Sequence, residues 1–252
     1  MEKETMHLIE IKELRKAFGP IVAVDGISFT VDKGDVLGFL GPNGAGKSTT
    51  MKMLSGFLPP DGGTALVDGH DIITDVINVR RSLGYLAENA PAYDEMSVIG
   101  MLKFVCDTRG IKGSARKQAI DKVAISCAIT GVMHQPIGTL SKGYRRRLGL
   151  AQAMVHDPDV LILDEPTDGL DPNQKHEVRN LIKSMASEKC IVISTHILEE
   201  VEAICSRIII IDQGRILVDE TADSLISKHG GSLDQTFREL TGPSVVAKGG
   251  AS

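Results

Sequence analysis

Ile27, Phe29 and Val31 alternate with Ser28, Thr30 and Asp32, the period of a half-buried strand. Asp32 to Asp35 reads as a turn, and Val36 to Leu40 is a continuous apolar run of strand length. A glycine-rich loop follows at once. Ser48 to Leu54 then has helical character, with Gly56 as its stop. Pro59 to Gly63 is a turn cluster, Thr64 to Val67 predicts a strand, and Asp68-Gly69 is a hairpin signal.

The period changes after residue 94. Met96, Ile99, Leu102, Phe104 and Val105 recur at helical spacing, as do Ala115, Ala119, Ile120, Val123 and Cys127. Residues 94–142 therefore predict an all-helical insertion. A β/α alternation resumes behind it: strand 160–163, helix 173–186, strand 191–194, helix 197–205, strand 207–211 and a short strand 214–218. Such alternation predicts a mainly parallel sheet covered by helices. Leu233, Phe237 and Leu240 predict one amphipathic helix, and the small, Gly-rich residues 242–252 predict a frayed tail.

Composition narrows the function classes. The chain has 252 residues, 42% of them hydrophobic, enough for a true core and against bulk disorder. Aliphatic runs such as Ile208 to Ile211 are too short to span a bilayer, and Met1 to His7 is too polar for a signal peptide. A net charge of −5 and 4% aromatics without Trp argue against a nucleic-acid surface. Cys106, Cys127, Cys190 and Cys205 form no metal-spaced cluster and read as reduced, mostly buried thiols. The histidines show no metal-ligand spacing either.

The chemistry concentrates in two places. Gly41-Pro-Asn-Gly-Ala-Gly46-Lys47-Ser48 fits GxxxxGK[ST] at every fixed position, between a strand and a helix. Backbone N–H groups of Gly41, Asn43, Gly44, Gly46 and Thr49 are candidates to cradle phosphate, aided by the helix dipole. Lys47 would neutralise phosphate charge and the Ser48 hydroxyl would ligate Mg²⁺. The second place is Asp164-Glu165, at the end of the buried run Val160 to Leu163. Carboxylates there are costly unless they bind something. Beside a phosphate loop, Asp164 is a candidate Mg²⁺ holder and Glu165 a candidate general base. Taken alone, the pair could equally end a strand in a solvated loop.

Leu140-Ser141-Lys142-Gly143-Tyr144 precedes the acidic pair, and Gly169-Leu170-Asp171-Pro172 and Ile193-Ser194-Thr195-His196 follow it. With these segments in this order the chain resembles the ATP-binding subunits of ABC transporters over about residues 7–222. The resemblance implies an α/β P-loop NTPase fold of the ABC type. It would comprise an N-terminal antiparallel β subdomain, a RecA-like parallel-sheet core and a helical subdomain at about 94–150. The ATPase domain would span 1–222, with a helical extension at 223–241 and a flexible tail at 242–252.

It also implies a head-to-tail dimer sandwiching two ATP molecules, with Ser141 and Gly143 reaching the partner's nucleotide. Asp171 would link the two sites, His196 would contact the γ-phosphate, and Phe18 would stack on adenine. As an isolated residue, His196 reads as an ordinary surface or capping histidine; for Phe18 the lesser alternative is a core aromatic at a strand end. Two positions depart from the family pattern. Glu88 stands where a glutamine normally reaches Mg²⁺, and Lys142 replaces the first glycine of the signature, near phosphate or facing solvent. Both variants resemble the branch exporting drugs, lipids and polysaccharides or serving gliding motility. Arg145 to Arg147 read as charges at a helix start near the triphosphate and a subunit interface.

The resulting expectation is an ATPase using ATP and Mg²⁺ to drive transport, most simply export, through separate integral membrane permease subunits. It would sit on the cytoplasmic face of the membrane and pair with a second copy or a paralogue. Tyr85 to Tyr93, with Pro91 inside, would form the lip of the docking groove. The alternatives are a non-transport clamp of the same family, a regulatory subunit that hydrolyses poorly, and an unrelated P-loop kinase or GTPase. The guanine-selective NKxD expected of a GTPase is absent from the sequence.

Overall fold

The computed structural model describes residues 7–88, 92–228 and 233–241. The expected frayed tail, Pro91 and the first six residues lie outside them. Strands β1 (Ile9–Phe18), β2 (Ile21–Val31) and β3 (Val36–Leu40) lead into helix α1 (Lys47–Leu54). Strands β4 (Gly62–Val67) and β5 (His70–Asp71), helix α2 (Val76–Ser82) and strand β6 (Leu83–Leu86) follow. Next come α3 (Val98–Thr108), α4 (Gly113–Ser126) and α5 (Lys142–Met154). The chain continues through β7 (Val160–Asp164), α6 (Pro172–Met185), β8 (Cys190–Thr195) and α7 (Leu198–Ile204). It ends with β9 (Arg207–Asp212), β10 (Arg215–Thr221), α8 (Ala222–Lys228) and α9 (Leu233–Thr241).

The strands form two sheets. The first, in the order β2-β1-β4-β5, is antiparallel. The second runs β10-β9-β3-β8-β7-β6 and is parallel except for the β10–β9 pair. Its central strands are buried along their whole length because both faces are covered. Successive side chains point to opposite faces. Phe39, Ile162, Val192 and Ile209 therefore meet α1 and the first sheet, whereas Leu40, Leu163, Ile193 and Ile210 join the core shared with α5 and α6. The Phe29 and Phe39 rings, 5.6 Å apart, join the two sheets.

Register sets up the site. Leu40 pairs with Thr195, and Asp164 with Ser194. The carboxyl ends of β3, β8 and β7 thus lie side by side, the edge where open parallel sheets place ligands. The helical stretch lies between β6 and β7, with Ser97 capping α3 by accepting from Gly100 N–H. Three details differ from the sequence reading. The alternation at 27–31 belongs to a strand that starts at Ile21, α2 and β6 stand ahead of the insertion, and the C-terminal extension holds two helices rather than one.

Candidate active site

The phosphate loop joins β3 to α1. Gly46 sits at φ 106, in the left-handed region, and a Cβ there would lie 2.3 Å from the Ala23 carbonyl oxygen. Only glycine meets both demands. The Lys47 ammonium is buried and donates to the carbonyls of Gly41 at 2.7 Å and Pro42 at 3.0 Å. Burial pulls Lys47 below the ordinary lysine range, while Glu165, Asp164 and Glu88 pull the other way. A cleft of about 490 Å³ opens over this loop. Asn43, Gly44, Gly46, Lys47, Ser48 and Thr49 line one side, and Glu88, Glu165 and His196 the other.

The acidic pair is built differently at its two positions. Asp164 is 1% exposed, and its carboxylate accepts from the Ser194 hydroxyl and, at 3.4 Å, from the Ser48 hydroxyl. Glu165 leaves the strand at φ 52, a conformation non-glycine residues seldom adopt. Its N–H donates to the Ser194 carbonyl at 2.9 Å. The turn leaves its carboxylate largely buried in the cleft wall, where His196 Nδ1 lies 2.8 Å from Oε1. A carboxylate only accepts, so Nδ1 carries the proton in that contact. The Thr195 hydroxyl lies 3.4 Å from Oε2. His196 is thus joined to the acidic residue rather than being a free surface histidine.

Three expected site residues lie elsewhere. Ser141 accepts from Tyr144 N–H as the N-cap of α5, and Asp171 accepts from Gln174 N–H as the N-cap of α6. Gly143 lies against the Gln174 side chain, whose Oε1 is 2.4 Å from where a Cβ would stand. None of these lines the cleft of its own chain. Phe18 is also outside the lining. It is 49% exposed near the β1–β2 turn, with the Lys16 ammonium 5.7 Å from its ring centre, so it is no core aromatic.

The arginine run needs correction, and the alternatives for Lys142 are resolved. The Lys142 side chain is exposed, the solvent-facing alternative of the two. Its ammonium pairs with Asp168 at 2.9 Å, and Asp168 lines the cleft. Arg146 and Arg147 are buried. Arg147 pairs with Glu177 at 2.6 Å, and Arg146 donates to carbonyls beside the acidic pair. Only Arg145 keeps a partly exposed role, bonded to Asp94 and the Gly138 carbonyl. The sequence reading missed Arg146, Asp168 and Ser194. A charge run carries no mark of which member is buried, though Arg146 lies one helical turn after Lys142, on the same face. All four cysteines are buried and unpaired, as expected. Among the described residues no helix is long and apolar enough to cross a membrane.

Comparison with known proteins agrees with this geometry. The family model described as ABC transporter matches residues 24–168. The probable multidrug ABC transporter ATP-binding protein YbhF of Escherichia coli (strain K12) is 37% identical over 92% of this chain. The chain spans only 41% of that relative's length. Nod factor export ATP-binding protein I of Burkholderia lata is 36% identical, over 88% of this chain and 74% of that protein. A solved structure described as the ATP-binding subunit of an ABC transporter superposes with a TM-score of 0.86 at 27% identity. It covers 93% of this chain and 99% of its own. A dimeric bacterial ABC transporter cassette shares the fold, with a TM-score of 0.79 at 19% identity over 84% of this chain and 98% of that one. With its family match over more than half the chain and its phosphate loop and acidic strand meeting at one sheet edge, this chain belongs to the ABC transporter family, as an ATP-binding cassette.

Proposed function

We propose that this cassette binds and hydrolyses Mg-ATP in a head-to-tail pair and drives substrate movement, in the export direction, through separate membrane subunits. The observation carrying this reading is the cleft in which Lys47, Ser48, Glu88, Glu165 and His196 converge. The loop amides and the α1 N-terminus favour a polyphosphate there. The oxygen donors Ser48 Oγ, the buried Asp164 and Glu88 suit Mg²⁺, which prefers hard oxygen ligands and one or two carboxylates. Bound Mg²⁺ would neutralise phosphate charge. Glu165 accepts a proton from water as the water oxygen bonds to the γ-phosphorus. The bond to the β,γ-bridging oxygen breaks, leaving ADP and phosphate. The Nδ1 proton of His196 holds the carboxylate in place.

Ser141 and Gly143 lie away from their own cleft, which supports a role on a partner's nucleotide, with Asp171 close by. The exposed Phe18 offers a stacking face for the base. A relative named for Nod factor export supports the export direction. Tyr93 and Phe104 meet edge to face, 6.1 Å apart, while staying exposed, and supply an apolar lip for a membrane-subunit helix. This reading puts the cassette on the cytoplasmic side of the membrane. The pair is formed by two copies of this chain or by one copy and a paralogue.

Phosphate release and nucleotide binding test the reading together. Glu165→Gln is expected to lower turnover by at least about a hundredfold, in the range of lost acid–base catalysis, with ATP affinity within about threefold of wild type. Wild-type turnover in that variant would remove Glu165 as the base.

A further inference from the structure

The N-terminal end of α5 holds Ser141, and one turn further along the helix stands Arg146. The Arg146 guanidinium, 7% exposed, spends every nitrogen on backbone carbonyls. Nη1 donates to Ala87 at 2.8 Å and Glu88 at 2.9 Å. Nη2 donates to Asp164 and Glu165, and Nε to Pro166 at 3.4 Å. These carbonyls come from two loops that are far apart in sequence. One carries Glu88, and the other begins with the acidic pair. Both leave the adjacent strands β6 and β7.

A planar fork with fixed donors can span two loops in a way that a point-charge ammonium cannot. Burial disfavours the cation here, and nearby Asp164, Asp168, Glu165 and Glu88 offset that cost. Lys142, one turn earlier on the same face, holds Asp168. Two cations of α5 therefore grip residues 164–168. Arg147, equally buried, faces away from this loop pair and binds Glu177 on α6.

We propose that Arg146 is a positioning residue for hydrolysis. It fixes the Glu88 loop and the Glu165 turn relative to each other and ties both to the helix that begins at Ser141. Movement of the signature end of α5 would then displace the base of the same chain. This rests on Glu165 being the base. Arg146 touches no reacting atom and acts only through the backbone it holds.

The test compares Arg146→Lys with Arg147→Lys in the full chain. Arg146→Lys is expected to lower kcat tenfold or more while the Kd for ATP stays within about threefold. Without nucleotide, amide hydrogen exchange should quicken at residues 87–88 and 164–168. Arg147→Lys is expected to keep kcat and leave those amides unchanged. Equal kcat losses in the two variants, a parallel loss of kcat and ATP affinity in Arg146→Lys, or unchanged exchange would overturn the proposal. Where Arg146→Lys does not fold, Arg146→Gln, which keeps an amide donor pair, takes its place with the same readouts. Wild-type protein that binds ATP without turning it over would defeat the hydrolytic reading, and this one with it. Active wild type with an equally active Arg146→Lys would defeat only the clamp.

Discussion

The phosphate-loop end of the molecule and the signature end make opposite uses of a helix N-terminus. At α1 the helix opens into a walled cleft, with Lys47, Ser48, Glu165 and His196 around it. At α5 the N-terminus has its Ser141 cap and the neighbouring Gly143 and Gln174, but these residues do not line that cleft. In the proposed reading, the first region holds an anion with its own chain. In the proposed pair, the second is a half-site whose wall comes from the partner. Under the proposed function, such a cassette binds nucleotide alone and completes hydrolysis in a pair.

The largest expected effect separates the two regions. Lys47→Ala removes the buried cation of the cleft and should weaken ATP binding to the single chain by a hundredfold or more, read by calorimetry. Charge-assisted bonds to phosphate are among the strong ones. Ser141→Ala should leave that affinity within about twofold and lower turnover at least tenfold. Equal losses of single-chain affinity in both variants would erase the distinction between them.

A smaller effect concerns the far end of α5, remote from both regions. His156 follows the helix and donates from Nε2 to the Leu83 carbonyl at 3.1 Å, while its buried Nδ1 has no partner. Burial, with Arg109 and Lys189 nearby, lowers its pKa to about 4. A histidine depressed in the folded state contributes stability that is complete above its unfolded pKa of about 6.5. That contribution is lost as pH falls toward 4. It amounts to no more than about 3–4 kcal/mol, because each tenfold difference in proton affinity between the folded and unfolded chain is worth about 1.4 kcal/mol. Thermal unfolding of wild type should show this loss between pH 6.5 and 4, and His156→Gln should flatten it. Identical pH profiles would place the acid sensitivity elsewhere.

The two regions were unequally legible in the sequence. The phosphate loop and the acidic strand announce themselves, because their chemistry depends on local spacing: glycines before a lysine, carboxylates ending an apolar run. Their convergence required only a parallel sheet with aligned strand ends. The role of Arg146 depends on which face of α5 meets β6 and β7, and three consecutive arginines conceal that. Lys142 was ambiguous for the same reason, since Asp168 is 26 residues away and comes near only through the α5 packing. Helix α2 and strand β6 escaped notice because Val76 to Leu86 is short and mixes charges into its apolar positions. At the C-terminus, Leu225 packs into the same core as Leu233, which makes two helices of what reads as one stripe.

Completion of the signature end by a second cassette, around shared nucleotide, can be read from the solution mass of Glu165→Gln by light scattering, with and without Mg-ATP. The mass should move from about 27.0 kDa to twice that value when Mg-ATP is added, and should not move when Ser141 is also replaced by Ala. A protein that binds Mg-ATP and stays at the single-chain mass would contradict pairing between two copies of this chain.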